Sequence, residues 1–190
     1  GRLFTGDAAE GGADRHAHTG GVALAQHVAG HHLAGDEQVL AGLAAEASVT
    51  DAQVLYVGFT PPVGVAHALV KYLDLAQSEI LVQAYGFTHN AIAQALVRAH
   101  QRGVKVQVLL DEKSESTNRY VISLFRSTGV PMRADGSHAI AHNKVMVIDQ
   151  QVVVTGSFNF TNSAETRNAE NLLILRSLAL AKSYRENWLV

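Results

Sequence analysis

Cysteine is absent from the 190-residue chain, which excludes a disulfide framework, a thiolate nucleophile and a zinc–cysteine site. That absence leaves the compartment open, since many secreted proteins also lack disulfides. No apolar run approaches the length that crosses a bilayer, so no stable membrane insertion is expected. No signal peptide is visible, and the chain opens on Gly1 rather than Met, which leaves a processed or truncated start open. A large net charge is missing as well, the total being −2. Residues 1–50 hold two basic and six acidic residues, net −4, and residues 51–190 hold thirteen and eleven, net +2. A global basic field is thereby excluded, and any affinity for anions in the second part has to come from a local patch. What is present, 47% hydrophobic and 17% charged residues, fits a globular protein with a substantial core.

Residues 1–48 read as a poorly ordered extension rich in Gly, Ala and His, with at most a short helix over Val39 to Ala47. Five of the ten histidines lie there: His16, His18, His27, His31 and His32. His27 and His31 stand four apart, as metal ligands on a helix would. The biased composition favours incidental histidines, and no metal site is assigned.

From residue 49 onward the pattern changes to a catalytic domain spanning 49–190. Gln53 to Phe59 reads as a strand stopped by Pro61-Pro62. Val65, Leu69, Leu73 and Ala76 recur at helical spacing over 64–77. A doubly buried strand follows over Glu79 to Phe87, then a helix over 91–102 with Asn90 as its N-cap, then a strand over Val104 to Leu110. This is βαβαβ, which implies right-handed crossovers between parallel strands. A polar loop over 112–118, a helix to Thr128 and a short strand over 131–134 come next. After them follow a hairpin, a loop over 161–169, a strand over 170–175 and a helix over 177–188. The expected fold class is α/β, a mixed β-sheet flanked by helices on both faces.

The hairpin carries the chemistry. It holds His142-Asn143-Lys144 and Asp149, then Gly156-Ser157-Phe158-Asn159, an H-x-K-x-x-x-x-D pattern followed by G-S-x-N. The β-branched runs between predict strands, and Asp149-Gln150-Gln151 predicts the turn. In strands, residues two apart share a face. His142 would then point with Lys144, and Ser157 with Asn159. An imidazole, an ammonium, a hydroxyl and an amide on one small volume suit a phosphate. Asp149 would lie about 16 Å from Lys144 at the rise of a strand, too far to share that phosphate, and is given a structural role in the turn.

This motif resembles the signature of the phospholipase D superfamily. The run Thr155 to Thr161, with Ala164-Glu165-Thr166 and Asn168-Ala169-Glu170-Asn171, is similar to the small bacterial endonucleases that carry one motif per chain. The resemblance covers about residues 50–190. It implies a phospholipase D/nuclease-like sandwich and hydrolysis of phosphodiesters through a phosphohistidine on His142. Lys144, Asn159 and, more weakly, Ser157 would hold the phosphate oxygens, and Glu170 would orient a catalytic histidine. His67, His89, His100 and His138 all lack a lysine two places on, so one chain brings half a site. The implied completion is a homodimer, one histidine acting as nucleophile and the other as general acid.

No cofactor is needed by this scheme, and Asp111-Glu112 makes only a weak alternative metal pair. The favoured substrate is nucleic acid, DNA first with RNA as a further candidate, and Lys113, Arg119 and Arg167 are the expected backbone contacts. The alternatives are a phospholipase acting on phosphatidyl headgroups and an inactive binding module. The resemblance also implies a periplasmic or secreted location.

Overall fold

The computed structural model describes residues 49–190, except Val63. The Gly/Ala/His-rich head, its five histidines and the expected helix over Val39 to Ala47 lie outside the described residues.

Seven strands form one mixed sheet: β1 Gln53–Thr60, β2 Glu79–Ala84, β3 Lys105–Asp111, β4 Met132–Asp135, β5 Val145–Ile148, β6 Val152–Gly156 and β7 Glu170–Arg176. Their order across the sheet is β1-β7-β6-β5-β2-β3-β4. Strands β2, β3 and β4 run parallel, and all other neighbours are antiparallel. Among the described residues five α-helices accompany them: α1 Val65–Leu75, α2 Asn90–Gln101, α3 Arg119–Thr128, α4 Asn162–Thr166 and α5 Leu178–Leu189, with one 3-10 turn at Glu112–Ser114. The α/β class and the mixed sheet therefore stand as the sequence predicts.

Central strand β2 is an apolar run with Ile80, Leu81, Val82 and Ala84 all buried, because helices cover both faces. On one face Val65, Leu69 and Leu73 of α1 and Ile92, Leu96 and Ala99 of α2 pack on Ile80, Val82 and Met146 with α3. On the other, Ala181 and Trp188 of α5 cover Leu81, Val145, Val147 and Val153. The Trp188 indole donates to the Val82 carbonyl at 2.9 Å, and Arg185 pairs with the buried Glu79 at 2.8 Å, which fixes α5 on the sheet. Among the described residues no helix is long and apolar enough to cross a membrane.

Four local expectations change. Strand β1 does not extend the parallel set; it lies at the far edge and pairs with β7. A local alternation of strand and helix cannot distinguish the two placements, because adjacency is decided by which edge remains unpaired. Asn90 is the first helical residue and not the cap, which is His89; the Asn90 side chain accepts from the Tyr120 hydroxyl instead. Residues 161–169 contain the short helix α4, whose N-terminus is capped by Thr161. Finally, residues 142–144 precede β5 and residues 157–159 follow β6, so the hairpin strands are shorter than expected.

Candidate active site

The topology collects the motif at one edge of the sheet. The C-terminal ends of β2, β3 and β4 lie at this edge, as parallel strands require. Antiparallel pairing brings the start of β5, the end of β6, the start of β7 and the end of β1 to the same edge. Tyr85, Lys113, His142, Lys144, Ser157, Asn159 and Glu170 all follow or precede those strand ends. In open sheets containing parallel strands, this is the edge where ligands bind.

Asp149 lies at the opposite edge. It turns the hairpin with φ of 51°, followed by Gln150 at 57°. Its carboxylate accepts from the Gln77, Ser78 and Glu79 amides at 2.9, 2.8 and 3.0 Å and from the Ser78 hydroxyl at 3.0 Å. It therefore ties the start of β2 to the hairpin. Burial pushes its carboxyl pKa up, but those amides and the Ser78 hydroxyl outweigh burial and hold it below the usual carboxylate range.

The face-sharing rule for strands does not align His142 with Lys144, since neither is in a strand. A direct contact does. The Lys144 ammonium donates to the His142 carbonyl at 2.6 Å and meets the His142 ring nitrogen Nδ1 at 3.2 Å. An ammonium only donates, so Nδ1 accepts and the neutral ring carries its proton on Nε2. Tyr85 completes the packing, its ring 4.7 Å from the imidazole in an edge-on arrangement and 5.7 Å from Lys144 Nζ. Lys144 is 9% exposed. Burial lowers its pKa, and the nearby Glu170 charge opposes that shift.

Across the groove, Phe158 and Phe160 are fully buried, and their alternation turns Ser157 and Asn159 the other way. Gly156 has φ of 146°, and a Cβ there would lie 2.3 Å from the Asn171 carbonyl oxygen. The glycine of G-S-x-N thus permits β6 to approach β7 closely. Gly86 plays a similar part beneath Asn159, where an added Cβ would meet Thr161 at 3.0 Å and Asn159 at 3.8 Å. The Asn159 Oδ1 is buried and has no hydrogen-bond partner.

Ser157 donates to Glu170 at 2.6 Å and accepts from the Asn171 amide at 3.1 Å. Its one proton is thus committed to the carboxylate and not to the groove. Glu170 also accepts from the Asn168 side chain at 3.0 Å. No hydrogen bond joins Glu170 to His142 within one chain. His142, Lys144, Ser157, Asn159 and Glu170 line one groove of about 420 Å³, with Thr155 and Tyr184 beside them.

The three basic candidates divide. Lys113 and Arg119 line a separate groove of about 580 Å³, together with Arg126 and Glu115. Arg167 closes α4 on the other flank. Sequence reasoning missed Tyr85 and Gly86, which lie outside the motif and follow β2 with no spacing that marks them. It also missed Asn118, fully buried, which accepts from the Phe87 amide at 2.7 Å and donates to the Tyr85 carbonyl at 2.9 Å, fixing that loop. In the sequence Glu165 is marked only by its place in the trailing pattern. It is buried and accepts from the Gly64 and Ala66 amides, capping α1 from about a hundred residues away.

With this geometry in place, the chain belongs to the phospholipase D superfamily: the family described as cardiolipin synthase, PLD-like domain, matches residues 69–188. It is 42% identical over 130 residues to the phospholipase D of Rickettsia prowazekii, a match covering 68% of this chain and 63% of that one. It is 34% identical over 120 residues to the mitochondrial cardiolipin hydrolase of Xenopus tropicalis, covering 63% of this chain and 57% of that one. The chain thus spans less than two thirds of the length of these relatives. Among solved structures it is similar to Nuc from Salmonella typhimurium, a phospholipase D family member. The TM-score is 0.69 and the identity 36%, over 72% of this chain and 91% of that one.

Proposed function

We propose that this chain is a metal-independent phosphodiesterase that cuts nucleic acid through a phosphohistidine on His142, two copies forming one complete site. The observation that carries the reading is the contact of Lys144 with His142 in an open groove that Asn159 and Glu170 also line. The imidazole attacks phosphorus, a P–N bond forms, and the P–O bond to the leaving alcohol breaks. A second imidazole gives that oxygen its proton. Water then attacks phosphorus, the second imidazole takes the water's proton, and the P–N bond breaks to release the phosphomonoester. Lys144 and Asn159 bind the non-bridging oxygens, each donor supplying about 3–4 kcal/mol of transition-state stabilisation.

A nucleophilic Nε2 needs its proton moved to Nδ1, and Nδ1 then needs an acceptor. Lys144 is not one. A carboxylate is, and Glu170 with Ser157 behind it is the carboxylate of this groove. Two copies facing across their grooves let Glu170 serve a histidine and supply the second imidazole. Ser157 acts here as a positioning residue, not as a phosphate donor.

One observation favours a second reading, hydrolysis of a phospholipid. Val57 and Phe59 on edge strand β1 are 50% and 64% exposed, and β1 ends at the edge that carries the groove. Such residues suit an apolar surface, and the relatives named above are a phospholipase D and a cardiolipin hydrolase. The experiment is a parallel assay of wild type and His142→Ala on plasmid DNA and on vesicles of phosphatidylcholine and cardiolipin. DNA nicking lost in the variant is the expected result; lipid turnover without nicking reverses the choice. Binding without turnover of either substrate supports the inactive module instead.

A further inference from the structure

A second histidine, His138, follows β4 at the same end of the sheet, outside the motif. The Asp135 side chain is 8% exposed and that of His138 is 72% exposed, their Oδ2 and Nδ1 lying 2.8 Å apart. The same carboxylate accepts from the Ser137 amide at 2.9 Å and the Ser137 hydroxyl at 2.8 Å. The His138 hydrogen bond, followed by those from Ser137, lowers the Asp135 pKa to about 2, so this anchor stays ionised. With Nδ1 engaged, the imidazolium form presents Nε2–H outward.

The segment that carries it, residues 136–141, is pinned at two points. The Lys113 ammonium donates to the Ala139 carbonyl at 2.6 Å, and the Ala141 amide donates to the buried Asp111 carboxylate at 2.8 Å. Ala141 leads directly to His142. Lys113 follows β3, two strands from β5, and His138 follows β4, three strands away. At ~4.8 Å between strands they lie about 10 and 14 Å along the edge from the start of β5. For a strand of duplex DNA, with its ~3.4 Å axial rise, that is about three or four nucleotides. Lys113 also lines the groove with Arg119 and Arg126, in which Glu115 is the one lining carboxylate.

We infer that His138, held by Asp135, and Lys113 form a subsite for phosphates flanking the scissile one, so that the substrate is a polymer of phosphodiesters. This rests on the nucleic-acid reading above. A single phospholipid headgroup would not reach both groups and His142 together.

The test separates binding from turnover. The full chain carrying His142→Ala is titrated with a twelve-nucleotide single-stranded DNA at several salt concentrations, with and without His138→Gln or Lys113→Met. Each added substitution is expected to weaken binding about tenfold, and Lys113→Met to shrink the log–log salt slope by about 0.7. Unfolding curves establish that each variant is folded, and His138→Gln, at an exposed position, keeps the test alive if Lys113→Met disturbs its segment. Unchanged affinity in His138→Gln overturns the subsite. So does a loss confined to binding of cardiolipin vesicles, which would make the surface a membrane contact. Plasmid nicking by the wild type is scored separately, so failure of the enzymatic reading is seen apart from failure of the subsite.

Discussion

The Ser157 hydroxyl donates its only proton to Glu170 at 2.6 Å. This bond joins the serine of G-S-x-N to the first residue of β7, and it changes what each residue can do. Ser157 is unable to give the same proton to a phosphate, and Glu170 is held in place at the groove. Ser157→Ala should therefore lower kcat about tenfold, the value of one charge-assisted bond, with little change in KM. Because the serine acts through Glu170, the acid limb of the pH–kcat profile should move as well. A variant with an unshifted profile and a raised KM would show direct phosphate contact instead.

Lys144→Met should cost about a hundred- to a thousandfold in kcat, as for loss of one donor to the developing charge. The pH dependence carries more information. Burial lowers the Lys144 pKa, and the Glu170 charge partly restores it. The ammonium is the working form, and it is lost as pH rises through this lowered value. Glu170→Gln removes the opposing charge, so the alkaline limb should shift further toward neutral pH. A shift in the other direction would place the limb on another group.

Asp149, at the opposite end of the sheet, is expected to contribute to stability and not to chemistry. Asp149→Ala removes a carboxylate bound by three amides and a hydroxyl, and should cost about 2–3 kcal/mol in urea unfolding. Activity per folded molecule should be unchanged. Its folded-state pKa is depressed, so the stabilisation is present above the ordinary carboxylate value and lost as pH falls through the lower one. The stability gap between wild type and variant should therefore close in acid.

A phosphohistidine shared between two chains has a direct signature. Acid-quenched enzyme exposed to labelled substrate should carry the label on a ring nitrogen at position 142, and excess EDTA should not reduce turnover. Specific activity should fall on dilution, following dissociation measured by sedimentation. A fully active monomer, or label found elsewhere, would remove the scheme.

Much of the domain was legible in one dimension. Apolar residues at Val65, Leu69 and Leu73, and the alternations around β5 and β6, mark elements because burial imposes the period of the local backbone. H-x-K and G-S-x-N point to phosphate chemistry because few other tasks bring together an imidazole, an ammonium and an amide. Asp149 could be assigned to the turn from the polar break Asp149-Gln150-Gln151 between two β-branched runs. Those inferences need only local geometry and side-chain chemistry.

Pairings between distant residues are different. That β1 joins β7 and not β2, that Glu165 caps α1, and that Ser157 holds Glu170 are decided when remote segments compete for the same edge or donor. The same holds for Tyr85 against His142 and for Asp135 with His138, poised at the rim by the ends of the parallel strands. A hydrogen bond specifies its partner through space, and space is set only after the sheet has chosen its order. The sequence alone determined which elements form and what chemistry they carry; the tertiary structure decided which of those groups stand face to face.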